Sequence, residues 1–152
     1  MDFLIHPAQP SDTDALTEIA LTAKRHWNYP ERWIQYWLPA LSVSAEYIRA
    51  NESWIAAVQF KPVAWYSLKQ VAEHLWLDNL WVLPACMGKG IGRKLFSHAL
   101  ERSRIRGASV LKIEADPNAE NFYIRMGARR TGEHHSEVDG QPRLLPVMEM
   151  TL

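Results

Sequence analysis

The sequence predicts an α+β member of the α/β proteins: a mixed, mostly antiparallel sheet of about seven strands flanked by about four helices. Three observations carry this. Helical periodicity dominates up to about Ile48, and from Ser53 the period changes to alternating, β-rich runs. Three glycines, Gly88, Gly90 and Gly92, stand at every second position between an apolar alternating run ending at Pro84 and an amphipathic helical pattern. Strand and helix signals then alternate to the C-terminus. At 152 residues, 47% hydrophobic and 22% charged, the chain is long enough for one domain, 1–152, with a sizeable core.

In chain order, Phe3 to His6 is a short apolar run closed by Pro7, a first strand. Ser11-Asp-Thr-Asp14 has the form of a helix start, and Leu16, Ile19, Ala20 and Ala23 recur on one face of a helix ending near His26, where Trp27-Asn-Tyr-Pro30 breaks it. A second helix begins near Glu31, aligns Trp33, Ile34, Trp37 and Leu38, and is interrupted by Pro39; Ser44 caps one more short helix through Tyr47 and Ile48. Trp54 to Phe60 and Val63 to Leu68 form a hairpin turning at Lys61-Pro62. A turn around Gln70 to Glu73 leads into a strand from His74 to Leu83. The helix after the glycines buries Ile91, Leu95, Phe96 and Ala99 and is stopped by Gly107. Val110 to Ala115 is the next strand, Asn118 to Met126 a short helix stopped by Gly127, and Ala128 to about Ser136 and Arg143 to Leu152 are the last two strands.

Charge and composition exclude several classes. Seventeen basic and seventeen acidic residues cancel, whereas a nucleic-acid binder usually carries a basic excess. No apolar run reaches membrane-spanning length, and the N-terminus lacks the basic start of a signal peptide. The single cysteine, Cys86, forms no internal disulfide and fits a reducing compartment. A cytoplasmic protein without nucleic-acid or membrane partners is the expectation. His134 and His135 are adjacent and not one helical turn apart, so no metal set is expected. Cys86 has no identifiable histidine partner that would make it a nucleophile.

The strand, glycine loop and helix N-terminus together form a phosphate-sized cradle. Glycine admits unusual backbone dihedrals and close ligand approach, and the first helical N–H groups have no partner within the helix. Two commoner phosphate loops are ruled out. Lys89 is followed by Gly90 where a P-loop needs Ser or Thr, and Arg93 stands where the dinucleotide fingerprint needs its third glycine.

The loop resembles the acetyl-CoA loop of the GCN5-related N-acetyltransferases, the GNAT family, whose signature reads Gln/Arg-x-x-Gly-x-Gly/Ala after a strand carrying Val-x-Pro. Val82 and Pro84 match the strand end, and Gly90 and Gly92 the two glycines. Met87 departs from the Arg or Gln of the family, while Lys89 and Arg93 bring positive charge nearby. A second segment, Asp116 to Gly127, resembles the family's Asn-x-x-x-x-Phe-Tyr-x-x-x-Gly-Phe/Ala through Asn118, Phe122, Tyr123, Gly127 and Ala128. The order of elements is also that of the GNAT fold.

The resemblance implies a sheet splayed at its centre and acetyl-CoA as cosubstrate, with no metal. It implies cofactor contacts through Met87, Gly88, Lys89, Gly90, Ile91, Gly92 and Arg93 at the pyrophosphate. Main-chain atoms of Leu80, Trp81 and Val82 would meet the pantetheine arm, with Asn118 and Phe122 beside it. By the same analogy Tyr123 is the general acid that meets the departing thiolate. An alkyl amine is protonated at neutral pH and needs a base; Asp78 and Glu114, on the strands flanking the loop and its helix, are the candidates, with His74 third. In the family the segment holding Trp27, Tyr29, Trp33, Tyr36 and Trp37 covers the acceptor site, and these aromatics suit either an acceptor wall or plain packing.

Acetyl transfer to a primary amine by direct attack in a ternary complex is therefore the leading expectation, with a small-molecule or peptide amine as acceptor. A non-catalytic acyl-CoA-binding or regulatory module on the same fold is the alternative, and a binder of some other phosphate ligand the third class. A homodimer is compatible with the sequence, which does not fix the oligomeric state.

Overall fold

Seven strands form one sheet in the order β1-β2-β3-β4-β5-β7-β6 in the computed structural model, which describes residues 2–152. They are β1 (Leu4–Pro7), β2 (Glu52–Val58), β3 (Lys61–Val71), β4 (His74–Val82), β5 (Val110–Glu114), β6 (Arg129–Val138) and β7 (Gln141–Thr151). Five α-helices accompany them, one for each helical stretch read along the sequence: α1 (Thr13–Arg25), α2 (Glu31–Leu41), α3 (Ala45–Ala50), α4 (Ile91–Ile105) and α5 (Glu120–Arg125). All strand pairs are antiparallel except β4 with β5, which the α4 crossover joins in parallel.

The sheet separates two cores. On one face Leu16, Ile19 and Ala20 of α1 and Ile48 of α3 pack on Ile55 and Trp65, whose indole N–H donates to the Leu16 carbonyl at 3.0 Å. On the other, Ile91, Leu95, Phe96 and Ala99 of α4 and Tyr123 of α5 pack on Tyr66, Leu68, Leu77, Leu111, Ile113 and Met148. The apolar spacing that predicted α1 and α4 is the spacing each helix buries. Gly107 ends α4 with a positive φ of 83°; its N–H bonds Arg104 and the next N–H, of Ala108, bonds Ser103.

Three boundaries differ from expectation. The β2–β3 hairpin turns at Gln59 and Phe60, both at positive φ (49° and 67°), not at Lys61-Pro62, which lie inside β3. Such a turn normally announces itself with Gly or Asn, and here neither is present. Pro39 does not end α2: it sits in the last turn, and the helix closes two residues later through Ser42, whose N–H and hydroxyl both donate to the Leu38 carbonyl. The helix predicted from Asn118 opens as a 3₁₀ turn, Pro117–Ala119, before α5.

Candidate functional site

β4 pairs with β3 along its whole length but with β5 only over Leu75–Leu77 against Leu111–Ile113. Between Leu77 and Asn79 its register on β3 slips by one, which makes Asp78 the extra residue of a β-bulge. A bulge bends its strand and strengthens the local twist, and the parallel pairing stops at the residue before it. Beyond it the main-chain groups of Leu80, Trp81 and Val82 that would face β5 have no strand partner. The splayed centre expected from the sequence is present, and its cause is local.

The glycine loop stands at the end of this slot. Gly88 and Gly90 have φ of 75° and 83°, a region that side chains rarely adopt. Gly90 is the N-cap of α4, no side chain caps the helix, and its first bond runs from the Lys94 N–H to the Gly90 carbonyl at 3.1 Å. The N–H groups of Ile91, Gly92 and Arg93 are therefore free at the positive end of the helix, beside the exposed side chains of Lys89 and Arg93. A Cβ on Gly92 would lie 3.5 Å from Val82 and 3.7 Å from Phe122, ordinary contact, so packing alone does not demand glycine there. Met87 is half-buried and brings no charge. Donors without partners at the helix start, followed by a strand with open main-chain amides, fit a pyrophosphate joined to an extended amide-bearing arm.

Tyr123, on α5, is buried in the α4-side core. Its ring meets Phe96 edge-on at 5.5 Å and Phe122 at 5.2 Å, and its hydroxyl has no hydrogen-bond partner among the described residues. Burial, and then the charge of Asp116, push its ionisation well above the usual tyrosine range. The amide group of Asn118 donates to the Tyr29 hydroxyl at 2.9 Å and to Asp116 at 3.0 Å. The carboxylate two residues before it and the Tyr29 hydroxyl occupy both bonds that its amide group makes among the described residues.

Asp78 and Glu114 follow the paired residues Leu77 and Ile113, at the point where the strands part. Because Leu77 and Ile113 belong to the α4 core, both carboxylates face the opposite side, toward the N-terminal helices. Asp78 accepts a short hydrogen bond from the Tyr47 hydroxyl, which also meets Ser67 at 2.8 Å; Asn79 donates to Ser67 at 2.9 Å and accepts from the Trp81 indole at 2.9 Å. Burial, then the hydrogen bond to Asp78, raise the ionisation of Tyr47. Glu114 pairs with Nδ1 of His134 at 3.1 Å. His74 begins β4 at the opposite end from the glycine loop, in a cleft of about 450 Å³ shared with Arg106 and Lys112. Another cleft, near β1 and the Phe60 turn, is also remote from the slot. Cys86 packs in the α4-side core, as a small hydrophobe would.

A cluster that the sequence did not reveal crosses the mouth of the slot. Asp116, just past β5, accepts from Lys24 at 2.7 Å, from the Tyr29 hydroxyl at 3.0 Å, from Arg143 at 3.1 Å and from the Asn118 backbone N–H at 2.9 Å. Lys24 also lies 4.1 Å over the Trp37 ring and 6.0 Å from that of Trp81 on β4, while the Arg143 guanidinium stacks on Tyr29 and Trp37. Burial works against the Asp116 charge, but Lys24, Asn118 and Arg143 hold its carboxyl below the usual range; burial lowers Lys24, and burial followed by Asp116 raises Tyr29 to about 12. Tyr29, Trp33 and Trp37 pack on one another at 5.0 to 5.9 Å, while Trp27 and Tyr36 stay exposed. The aromatic segment is thus partly packed wall and partly open surface. Lys24 and Asp116 are 92 residues apart, and no local pattern joins them.

A family model described as the acetyltransferase (GNAT) family matches residues 14–128. The chain is 34% identical over 98 residues to the peptidyl-lysine N-acetyltransferase YjaB of Salmonella typhimurium, a match covering 64% of this chain and 62% of that protein. Among solved structures, a GCN5-related N-acetyltransferase from Rhodopseudomonas palustris superposes with a TM-score of 0.83 at 23% identity over 100% of this chain and 97% of its own. The PaiA N-acetyltransferase of Thermoplasma acidophilum, solved in complex with coenzyme A, superposes with a TM-score of 0.77 at 20% identity over 100% of both chains. At those identities the two structures share the fold.

Proposed function

The chain belongs to the GNAT acetyltransferase family, and from that premise we propose that it moves acetyl from acetyl-CoA to a primary amine by direct attack in a ternary complex. The observation that carries the reading is the parting of β4 and β5 after Leu77, which leaves open main-chain amides leading to an uncapped helix start. The coenzyme A complex of the PaiA structure and the amine acceptor named for the Salmonella relative support it.

When bound, acetyl-CoA supplies an activated acyl group on a thiol leaving group. The N–H groups of Ile91, Gly92 and Arg93, with Lys89 and Arg93, hold the pyrophosphate. Leu80, Trp81 and Val82 pair their main chain with the pantetheine amides and orient the thioester in the slot. Asp78 or Glu114, facing the N-terminal helices, takes the amine proton directly or through water. The amine nitrogen then forms the new C–N bond as the C–S bond breaks. Tyr123, kept protonated by its burial, donates a hydrogen bond to the departing sulfur. Phe122 and the Tyr123 ring keep water from that side.

The test combines ligand-dependent unfolding with turnover. Acetyl-CoA and desulfo-CoA at about a hundred times their dissociation constants should add roughly 2.7 kcal/mol, and ATP and NAD should not. Coenzyme A release should then depend on an added amine. Cofactor binding without release for any amine would favour the non-catalytic module.

A further inference from the structure

The cluster across the slot is rich in hydrogen-bond donors and cations, and poor in acceptors. Lys24 and Arg143, both nearly buried, share the single carboxylate of Asp116, and no other carboxylate among the described residues lies within ion-pair reach of either. The two Asp116 oxygens already accept from Lys24, Tyr29, Arg143 and Asn118. Arg143 uses Nη2 for Tyr29 and Asp116, and its Nε and Nη1, which are not sealed from solvent, make no hydrogen bond to the described residues and stay open to a ligand. The indole N–H of Trp33, in the same aromatic wall, is buried without a partner. A buried unmatched donor such as this indole is costly, and the open guanidinium donors beside it suit an anionic oxygen pair, which takes charge-assisted hydrogen bonds.

The placement gives that anion a meaning. Lys24 reaches from Asp116 beyond β5 toward Trp81 on β4, so it spans the gap where the strands part. Asp78 and Glu114 stand on the same face, at the point of parting. A cationic pair and a pair of carboxylates on one face match a molecule that carries an amine and a carboxylate together. Arg143 is held by Tyr29 and Trp37 at 4.9 and 4.7 Å from their rings, so its planar fork keeps a fixed aim.

Building on the acetyl-transfer reading, we propose that the acceptor is a small amine bearing its own carboxylate, of the amino-acid type, and that Lys24 and Arg143 recognise that carboxylate. The base takes one proton from the ammonium group, the amine nitrogen forms the C–N bond as the C–S bond breaks, and the second nitrogen proton is lost as the thiolate, hydrogen-bonded by Tyr123, is protonated and leaves as the thiol. The acceptor's carboxylate is unchanged throughout, so the N-acetylated product meets the same two cations.

The experiment compares L-amino acids with their carboxamides, which differ only in the anionic group. The wild-type protein should acetylate the acids with kcat/KM at least tenfold above the amides, and Arg143→Gln should collapse that ratio toward one, mainly through KM. Arg143→Lys, which keeps the charge and loses the fork, should restore part of it. If Arg143→Gln fails to unfold cooperatively, Lys24→Gln carries the same comparison. Equal use of acids and amides, or a ratio unchanged in a folded variant, overturns the proposal. A lysine peptide or polyamine acetylated in preference to every amino acid overturns it while leaving acetyl transfer intact. Should no amine be acetylated at all, transfer fails, and binding still decides: N-acetyl amino acids must raise the unfolding midpoint in the presence of coenzyme A more than their amides do, and equal shifts refute the carboxylate site.

Discussion

Tyr123 is the proton donor of the proposed reaction, and its hydroxyl bonds nothing among the described residues although its ring is fixed by Phe96 and Phe122. Tyr123→Phe should therefore leave the unfolding midpoint almost unchanged and lower kcat by about 10²- to 10⁴-fold, the usual worth of a positioned proton donor. A variant with wild-type kcat would remove the residue from the mechanism. The glycines separate in the same way. Gly90→Ala places a side chain at φ 83° and should cost roughly 1–2 kcal/mol by chemical denaturation, whereas Gly92→Ala, with only ordinary contacts to Val82 and Phe122, should keep stability. These positions were legible in the sequence because a glycine's backbone freedom is a local property. Lys24 and Arg143 were not, because each meets Asp116 only from a distant part of the chain.

At the scale of elements, the same carboxylate fastens the α1–α2 connection to the end of β5. Asp116→Asn leaves Lys24 and Arg143 facing each other without a counter-charge in a nearly buried setting. The loss should be about 3–5 kcal/mol, lowering the midpoint by about 2–4 °C per kcal/mol for a domain of this size. Hydrogen exchange should accelerate first over the end of α1 and the start of α2; uniform acceleration across the sheet would show that no local latch exists. Helices α1 and α4 were readable from apolar spacing alone, and the α4 stop from Gly107. The Gln59-Phe60 turn was not readable, since strand pairing on both sides imposes positive φ on residues that carry no turn signal. Neither was the bulge at Asp78, which is a mismatch of register between two strands and has no counterpart in either strand alone.

At the scale of the whole molecule, acid should act in two stages. His98 bonds Tyr66 at 2.6 Å, and burial followed by Arg102 lowers its protonation below the ordinary 6.5. The unfolded chain then binds that proton more readily, so this contribution to stability is lost as pH falls below about 6.5. Asp116, held below its ordinary 3.8, supports the fold above that value and ceases to as pH falls through its folded value. The midpoint should decline gently below pH 6.5 and steeply below 4, and His98→Gln should flatten the first stage. A wild-type first stage in that variant would assign it to other histidines.

The sequence by itself determined the strand and helix types, the seven-strand count, the glycine loop and the Asn-to-Gly segment of α5. All of these follow from residue spacing, backbone permissiveness or a short motif, which act over one or two turns of chain. The tertiary structure alone decided the strand order, the bulge that parts β4 from β5, the bonds of the Asn118 amide to Tyr29 and Asp116, and the ionic cluster that they join. Those features depend on which distant segments become neighbours, and the energy that selects them comes from burying two cores on opposite faces of one sheet.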